Sequence, residues 1–316
     1  MSVAVIIVAW NAAPYLNRVL NCLAQQTHLP DRILVVDNGS HDVERTMGIV
    51  SRYPNCELHC LPDNRGFAAA NNIGVAKCPD VEFIALLNPD AFPEPQWLAA
   101  LLQAAERSPD VACFASRLLN EANDAVLDGA GDYVTVAGKP GRRGHGGKAK
   151  GQYLDEEEVF SPCAAAALYR RDVFMAVGGF DERFFCYVED VDLAFRMRLA
   201  GHGCLYVPSA VARHVGSASS GRRSAFAVYH GQRNLVFNYV KNMPGFAFWA
   251  LLPFHLAMNV AFLVGSLFAG CGPVVWKAKR DALRELPVLW RARRSIQRCR
   301  RVSTWRIIRQ LRLRQT

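Results

Sequence analysis

No Cys-x-x-Cys pair occurs in this chain, although it carries ten cysteines in 316 residues. The nearest two, Cys56 and Cys60, are poorly spaced for a zinc site, and a chain of this length is no small disulfide-stapled scaffold. Scattered, reduced thiols of a cytosolic protein are the plainest reading. No basic stretch precedes the first apolar run, Val3 to Trp10, and nothing after it resembles a cleavage region. A secretory signal is therefore not expected, and the globular part should stay in the cytosol. Charged residues are also modest in number, 21% against 51% apolar, which excludes a disordered chain. One stretch lacks charge altogether: Phe246 to Trp276 contains no Lys, Arg, Asp or Glu.

What charge there is lies unevenly. The net charge is +9, yet the segment from Lys277 to Thr316 alone holds fourteen Lys and Arg against Asp281 and Glu285, a net +12. The first 276 residues therefore carry −3, and a mildly acidic body precedes a strongly basic tail. Such a tail suits an anionic surface. The apolar run directly before it favours a membrane over a nucleic acid. That run is long enough to span a bilayer, but Pro253, His255, Asn259 and several glycines interrupt it. A hairpin dipping into the membrane competes with one spanning helix.

The first hundred-odd residues alternate between two kinds of segment. Val3–Ala9, Arg32–Asp37, Glu57–Leu61, Glu82–Asn88 and Val111–Ser116 are short, apolar and often β-branched. Helical patterns lie between them at Pro14–Gln26, Val43–Arg52, Gly66–Lys77 and Glu94–Arg107. This spacing predicts βαβ units and an α/β fold with a mostly parallel sheet covered on both faces. Ligands of such sheets bind at the carboxyl ends of the strands, so the polar residues just after each strand are the candidates. Residues 117–160 break the rhythm, and Gly138 to Gly151, with six glycines, reads as a mobile surface loop. An apolar run Cys163–Tyr169, a turn at Gly178-Gly179, a helix from about Glu189 to Ala200 and a strand Cys204–Val207 follow.

Four places can carry chemistry. Asp37, in Val36-Asp37-Asn38-Gly39-Ser40, can accept hydrogen bonds from a ribose or base, or can simply close a turn and cap a helix. Asn64-Arg65-Gly66-Phe67, leading into a helix of small residues with Asn71, suits a diphosphate, or ordinary tight packing. Asp90, in Asn88-Pro89-Asp90-Ala91, sits where a hard cation could bridge to a diphosphate, with a helix cap as the alternative. Between Asp181 and Asp192 five carboxylates fall within twelve residues, among aromatic side chains that desolvate acids toward the range of a general base. Asp192 and Arg196 are spaced to pair on one helix face. His214, just past a strand end, is as readily a metal ligand as a structural histidine.

Taken in order, these pieces resemble family 2 glycosyltransferases, in the branch of bacterial rhamnosyltransferases and galactofuranosyltransferases. The matching residues are Ile7-Val8-Ala9-Trp10-Asn11, Val36-Asp37-Asn38-Gly39-Ser40, Asn64-Arg65-Gly66-Phe67 with Asn71, Asn88-Pro89-Asp90-Ala91, and Gly178-Gly179-Phe180-Asp181-Glu182. Glu189-Asp190-Val191-Asp192-Leu193 with Arg196 and Gly201, then His214 and Arg233-Asn234, complete the series, which covers residues 3 to 242. The resemblance implies a GT-A-type fold and an inverting transfer of a sugar, rhamnose among the candidates, from a UDP- or dTDP-sugar to a glycan or lipid-linked acceptor in cell-surface polysaccharide assembly. It implies donor binding by Ala9, Asn11, Asp37, Asn64, Arg65, Gly66, Asn71, Asn88 and Asp90. A divalent Mg2+ or Mn2+ would be held by Asp90 with His214, and Asp190 would be the general base with Glu189 beside it. The usual Asp-x-Asp is Asn88-Pro89-Asp90 here, so one carboxylate instead of two faces the metal.

The expected organisation is a nucleotide-sugar half over 1–116, an acceptor and catalytic half over 117–242, and a membrane-associating helical extension over 243–316. The enzyme is then expected on the cytoplasmic face of the plasma membrane, peripheral or monotopic, against anionic lipid and without nucleic acid. A nucleotidyltransferase acting on sugar phosphates would need a glycine-rich loop after the first strand, where this chain has Ala9-Trp10-Asn11-Ala12-Ala13. A non-catalytic membrane-binding module would leave the acidic series unexplained.

Overall fold

The structure, a computed structural model, describes residues 1–216 and 224–312. Its first hundred residues form the expected βαβ units: strands β1 (Val3–Ala9), β2 (Arg32–Asn38), β3 (Cys56–Leu61) and β4 (Phe83–Leu87), with helices α1 (Ala13–Ala24), α2 (Val43–Val50) and α3 (Gly66–Ala76). The four strands are parallel in the order β3–β2–β1–β4, and Ala9 pairs with Asp37 at the carboxyl edge. β1 is an almost continuous apolar run because both faces are covered. Val3, Val5, Ile7 and Ala9 pack into the core beneath α1, whereas Ala4 and Ile6 pack on the other face with the alanines of α3. A Cβ on Gly74 would meet Ile6 at 2.6 Å, so the small residues of α3 serve close approach to the sheet. After β4 the chain adds a short strand, β5 (Ala91–Pro93), and α4 begins at Trp97 and runs to Arg107. The helix expected from Glu94 is thus delayed, in keeping with the prolines at 93 and 95.

The second half departs further from expectation. β6 (Val111–Asn120) does not join β4 directly. Residues 117–160, which break the βαβ rhythm, hold a series of strands: β7 (Asn123–Ala130), β8 (Asp132–Val134), β9 (Pro140–Arg142) and β10 (Glu157–Glu158), and the stretch expected as a surface loop, Gly138 to Gly151, contributes one of them. The glycine-rich stretch is drawn into this series, since β9 pairs with β8 and Arg143 is buried over the rings of Tyr153 and Tyr206. Its glycines serve turns, and buried arginine contacts replace the apolar periodicity that would have revealed it. β11 (Ala166–Arg170), α5 (Arg171–Ala176), a single 3₁₀ turn (Glu182–Phe184) and α6 (Glu189–Leu199) lead to β12 (Gly203–His214). β11 is antiparallel to both β4 and β6 and wedges between them, giving the order β10–β12–β6–β11–β4–β1–β2–β3. The sheet is therefore mixed, with its β3–β2–β1–β4 half wholly parallel. β12 is longer than the expected Cys204–Val207, because a register shift between Val207 and Val211 lets it continue past Pro208 to His214.

Five helices close the described chain: α7 (Ala225–Asn242), α8 (Gly245–Phe268), α9 (Gly272–Arg284), α10 (Leu286–Arg298) and α11 (Thr304–Gln310). They pack against the globular body through a cluster that joins Val191 and Phe195 of α6 to Tyr239, Phe248, Ile307 and Leu311. Ile307 is fully buried, Trp305 faces solvent, and Arg312 pairs through its backbone with Val134 and Val136.

Candidate active site

The carboxyl ends of β1 and β2 meet in one polar corner. Asn11, in a left-handed conformation at φ 50°, donates its N–H to Ser40 Oγ at 2.9 Å and accepts from His41 N at 2.9 Å. Asp37 is buried beside it. Its Oδ1 accepts from Ser40 N at 2.9 Å, closing the turn, while its buried Oδ2 has no partner. An acceptor so placed is suited to an incoming N–H or hydroxyl. Helix α2 starts only at Val43, so Asp37 does not cap it. Next to this corner Asn38 ties β2 to the turn before α3: its Nδ2 donates to Asn64 Oδ1 at 3.0 Å and its Oδ1 accepts from Arg65 N at 2.9 Å. Gly66 N donates to Asn64 Oδ1, and Gly66 itself (φ 84°) lies against Phe185, where a Cβ would stand 2.6 Å away. Arg65 is exposed at this turn. Ala9 is buried within β1, and Asn71 is buried with its Nδ2 bonded to Phe67 O one turn back in α3.

A second group forms because β5 and β12 pair antiparallel, with His214 opposite Ala91. That register brings His214 Nε2 to 3.5 Å from Asp90 Oδ1, and Asp90 O accepts from Val215 N. Asn88 is fixed from the other side, its N–H on Ala165 O at 2.8 Å. Asp90 does not cap α4, whose N-cap is Gln96. The other ring nitrogen of His214, Nδ1, lies 2.8 Å from Asp128 Oδ2. Asp128 is the extra residue of a bulge in β7, between Gly129 opposite Leu118 and Leu127 opposite Leu119, which aims its carboxylate inward. Burial opposes the charged imidazolium, but the hydrogen bond to Asp128 and the facing carboxylate of Asp90 outweigh it and hold the His214 pKa above normal. Burial also opposes ionised Asp128. The bond from His214 and the charge of Arg142 prevail and pull its pKa down to about 2.

This arrangement fits a divalent cation. His214 Nε2 is buried without a hydrogen-bond partner and faces a carboxylate, while a second carboxylate holds the far ring nitrogen, as metal-ligating histidines require. Among the described residues no group of three or more His, Cys, Asp or Glu is placed to hold a metal. Asp90 and His214 would therefore be two protein donors, with the other positions left to water and diphosphate oxygens, as is usual for magnesium.

The third group surrounds the start of α6. Asp190 Oδ2 accepts from Ala164 N at 3.2 Å and Oδ1 from its neighbour Val191 N at 2.8 Å. Burial raises its pKa against those bonds and against Arg142. Glu189 is buried with Oε2 unpartnered, and burial together with Asp190 pushes it well above the carboxylate range. Asp132 stands nearby, raised to about 7 by burial, with Asp190 and Asp128 adding to the shift and Arg142 opposing it. Arg142 thus bridges the groups, 2.7 Å from Asp128 and 4.0 Å from Asp132. The remaining acids do other work. Asp192 pairs with Arg196 at 2.8 Å as expected, and Lys241, fully buried, binds both Asp192 and Asp181. That network anchors α6 to α7. Glu182 accepts from Asn72 Nδ2 at 3.2 Å, and Glu189 and Asp190 are the two buried acids of the series without a direct ion pair.

Asp128, Asp132 and Arg142 escape a reading of the sequence that finds no rhythm in residues 117–160 and takes Gly138 to Gly151 for a loop. The available signal is Val126-Leu127-Asp128-Gly129, an apolar run ending in an acid and a glycine, the same pattern as Val36-Asp37-Asn38-Gly39.

The sequence profile described as glycosyl transferase family 2 matches residues 4–178. N-acetylglucosaminyl-diphospho-decaprenol L-rhamnosyltransferase of Mycobacterium tuberculosis is 32% identical over 249 residues, 72% of this chain and 80% of that one. The O-antigen chain rhamnosyltransferase RfbN of Salmonella typhimurium is 30% identical, over 68% of this chain and 66% of its own. Among solved structures, the mannosyltransferase PcManGT from Pyrobaculum calidifontis, in complex with GDP-Man and Mn2+, superposes with a TM-score of 0.56 at 19% identity, over 94% of this chain and 84% of that one. Residues 1–349 of S. aureus TarS, in complex with UDP-GlcNAc, give 0.60 at 17% identity, over 95% and 89%.

Proposed function

Since this chain belongs to glycosyl transferase family 2 and is a nucleotide-sugar-dependent glycosyltransferase of the GT-A type, we propose that it transfers rhamnose from dTDP- or UDP-rhamnose, with inversion, to a hydroxyl of a lipid-linked glycan in cell-surface polysaccharide assembly. The observation that carries the reading is the β5–β12 pairing, which sets a buried, unpartnered His214 Nε2 against Asp90 at the carboxyl edge of the sheet. Two relatives that cover about 70% of this chain are rhamnosyltransferases by name, and one of them carries a diphospho-decaprenol substrate in its name.

In this reading Asp37 receives the base or ribose through its free Oδ2, and the Asn64–Gly66 turn at the start of α3 receives the diphosphate. Asp90 and His214 hold a divalent cation, which when bound neutralises charge on the leaving diphosphate. Asp190 takes the proton of the acceptor hydroxyl while its oxygen attacks the anomeric carbon from the face opposite the leaving group. The bond to the nucleoside diphosphate breaks, and the configuration inverts. One base suffices for a single displacement. Burial around Asp190 raises its basicity, and Glu189, further raised, is the proton-bearing neighbour.

The acceptor's lipid would lie where α8 and the basic helices meet a membrane. α8 is long and apolar enough to cross one. His255 argues for lying along it instead: near mid-helix it stacks on Tyr239 at 4.0 Å and bonds Ala137 O at 2.8 Å, pinning the helix to the globular body. The decisive assay is release of nucleoside diphosphate from a panel of UDP-, GDP- and dTDP-sugars, with and without a polyprenyl-diphosphate-linked amino sugar. Acceptor-stimulated release from a rhamnose donor is expected. Release from other donors only would overturn rhamnose, and equal release without the acceptor would overturn the lipid-linked hydroxyl.

A further inference from the structure

The chain segment that delivers Glu189 and Asp190 is strained. Phe185, Tyr187 and Val188 all have positive φ, at 63°, 70° and 70°, and for the β-branched Val188 this is a true outlier. Three such residues in four do not persist unless neighbouring structure over-determines them. Here α7 supplies the restraint. Asn234, fully buried, turns its Nδ2 toward three carbonyls in and just before the strained loop, Phe184 O and Cys186 O at 2.9 Å and Tyr187 O at 2.7 Å. Its Oδ1 accepts from Arg233 Nε at 3.0 Å, and Arg233 Nη2 donates to Arg183 O at 2.7 Å and Phe184 O at 3.0 Å. His230 of the same helix stacks on Phe185 at 5.2 Å. On its other side the loop meets the candidate diphosphate turn: Phe185 O accepts from Ala68 N, and Phe185 fills the space that a Cβ on Gly66 would need.

We propose that Asn234 is a positioning residue: with Arg233 it clamps the 185–188 loop in its strained form, so that Asp190 is held in fixed relation to the diphosphate turn. This rests on the reading of Asp190 as the base. Neither side chain touches the reacting atoms in that arrangement. Their effect passes through backbone carbonyls that a relaxed loop would carry away from α7.

The clamp has a signature that ordinary packing lacks. Asn234→Ala should lower kcat by about 10- to 100-fold, the range in which an ångström of misplacement acts, with nucleoside diphosphate Kd, read by calorimetry, little changed. Val188→Gly removes the steric conflict that the clamp opposes, so adding it to Asn234→Ala should recover a large part of the lost kcat. Amide hydrogen exchange over residues 183–190 should rise in Asn234→Ala and fall back in the double variant. Wild-type kcat in Asn234→Ala, or no recovery with Val188→Gly, overturns the clamp. Should Asn234→Ala fail to fold, Arg233→Gln takes its place, with an expected loss of about 3- to 10-fold and an unchanged kcat overturning the proposal. Exchange needs no substrate. Unchanged exchange sinks the clamp whatever the enzyme does, whereas raised exchange without transfer from any donor leaves the clamp and removes the transferase reading.

Discussion

Asp190 and Glu189 are adjacent acids with different surroundings, and the difference assigns their roles. Asp190 accepts two backbone N–H bonds, from Ala164 and Val191, which favour its charged form, while Glu189 has an unpartnered, buried oxygen that favours its neutral form. Asp190→Asn keeps the size and one of the two accepted N–H bonds but removes the basicity. Turnover should fall by about 10² to 10⁴ while nucleotide binding persists. Rates near wild type, measured by nucleoside diphosphate release, would move the base to Glu189. At this scale the sequence is legible where an acid follows an apolar strand and a short turn, as at Asp37 and Asp90. It is opaque where position depends on pairing. Asp128 reaches His214 only because of a bulge in β7, and Arg142 reaches Asp128 only because the glycine-rich stretch forms β9. Neither pairing leaves a periodicity to read.

Among elements, the parallel strands and α1 to α4 follow directly from alternation of apolar segments and helical patterns. β11 and the first part of β12 show as an apolar run and a strand, but the antiparallel insertion of β11 and the extension of β12 to His214 do not, because they are set by partners far along the chain. The C-terminal helices are legible in kind but not in docking. Removing everything from Phe246 onward would strip Phe248, Ile307 and Leu311 from a core shared with Phe195 of α6, so truncation tests folding as much as location. Substitution on the outer face of α8 is the cleaner probe. Val260 and Leu267 are 60% and 67% exposed. The double change Val260→Glu, Leu267→Glu should leave Tm nearly unchanged and abolish flotation with anionic vesicles, since each acid replaces an apolar contact with lipid. Flotation equal to the unmodified protein would remove α8 from the membrane contact and leave the basic residues of α9 to α11 as its source.

For the molecule as a whole, buried acids divide into two classes with opposite consequences for stability. Asp132 has its pKa raised to about 7 from an ordinary 3.8, so between those values the folded state holds a proton that the unfolded state has lost. Stability therefore falls as pH rises through about 4 to 7 on this account. Asp128, lowered to about 2, works the other way, and its contribution is present above pH 4 and lost as pH falls toward 2. Asp132→Asn should flatten the fall of Tm between pH 4 and 7 in thermal unfolding followed by circular dichroism. An unaltered slope would assign it to Glu189 or Asp190, which shift in the same direction.

The place of β11 also bears on how such a chain emerges from the ribosome. β4 ends at Leu87, but the strand that covers its outer edge begins at Ala166, about 80 residues later, a few seconds or more of synthesis. Throughout that interval the nascent parallel sheet presents a row of unsatisfied amides and carbonyls beside a fully apolar strand, the template on which foreign strands add. β6 cannot close this gap, since it reaches the sheet only through β11. A translational pause placed before Ala166 should therefore raise the fraction that aggregates, whereas a pause after Arg170 should not.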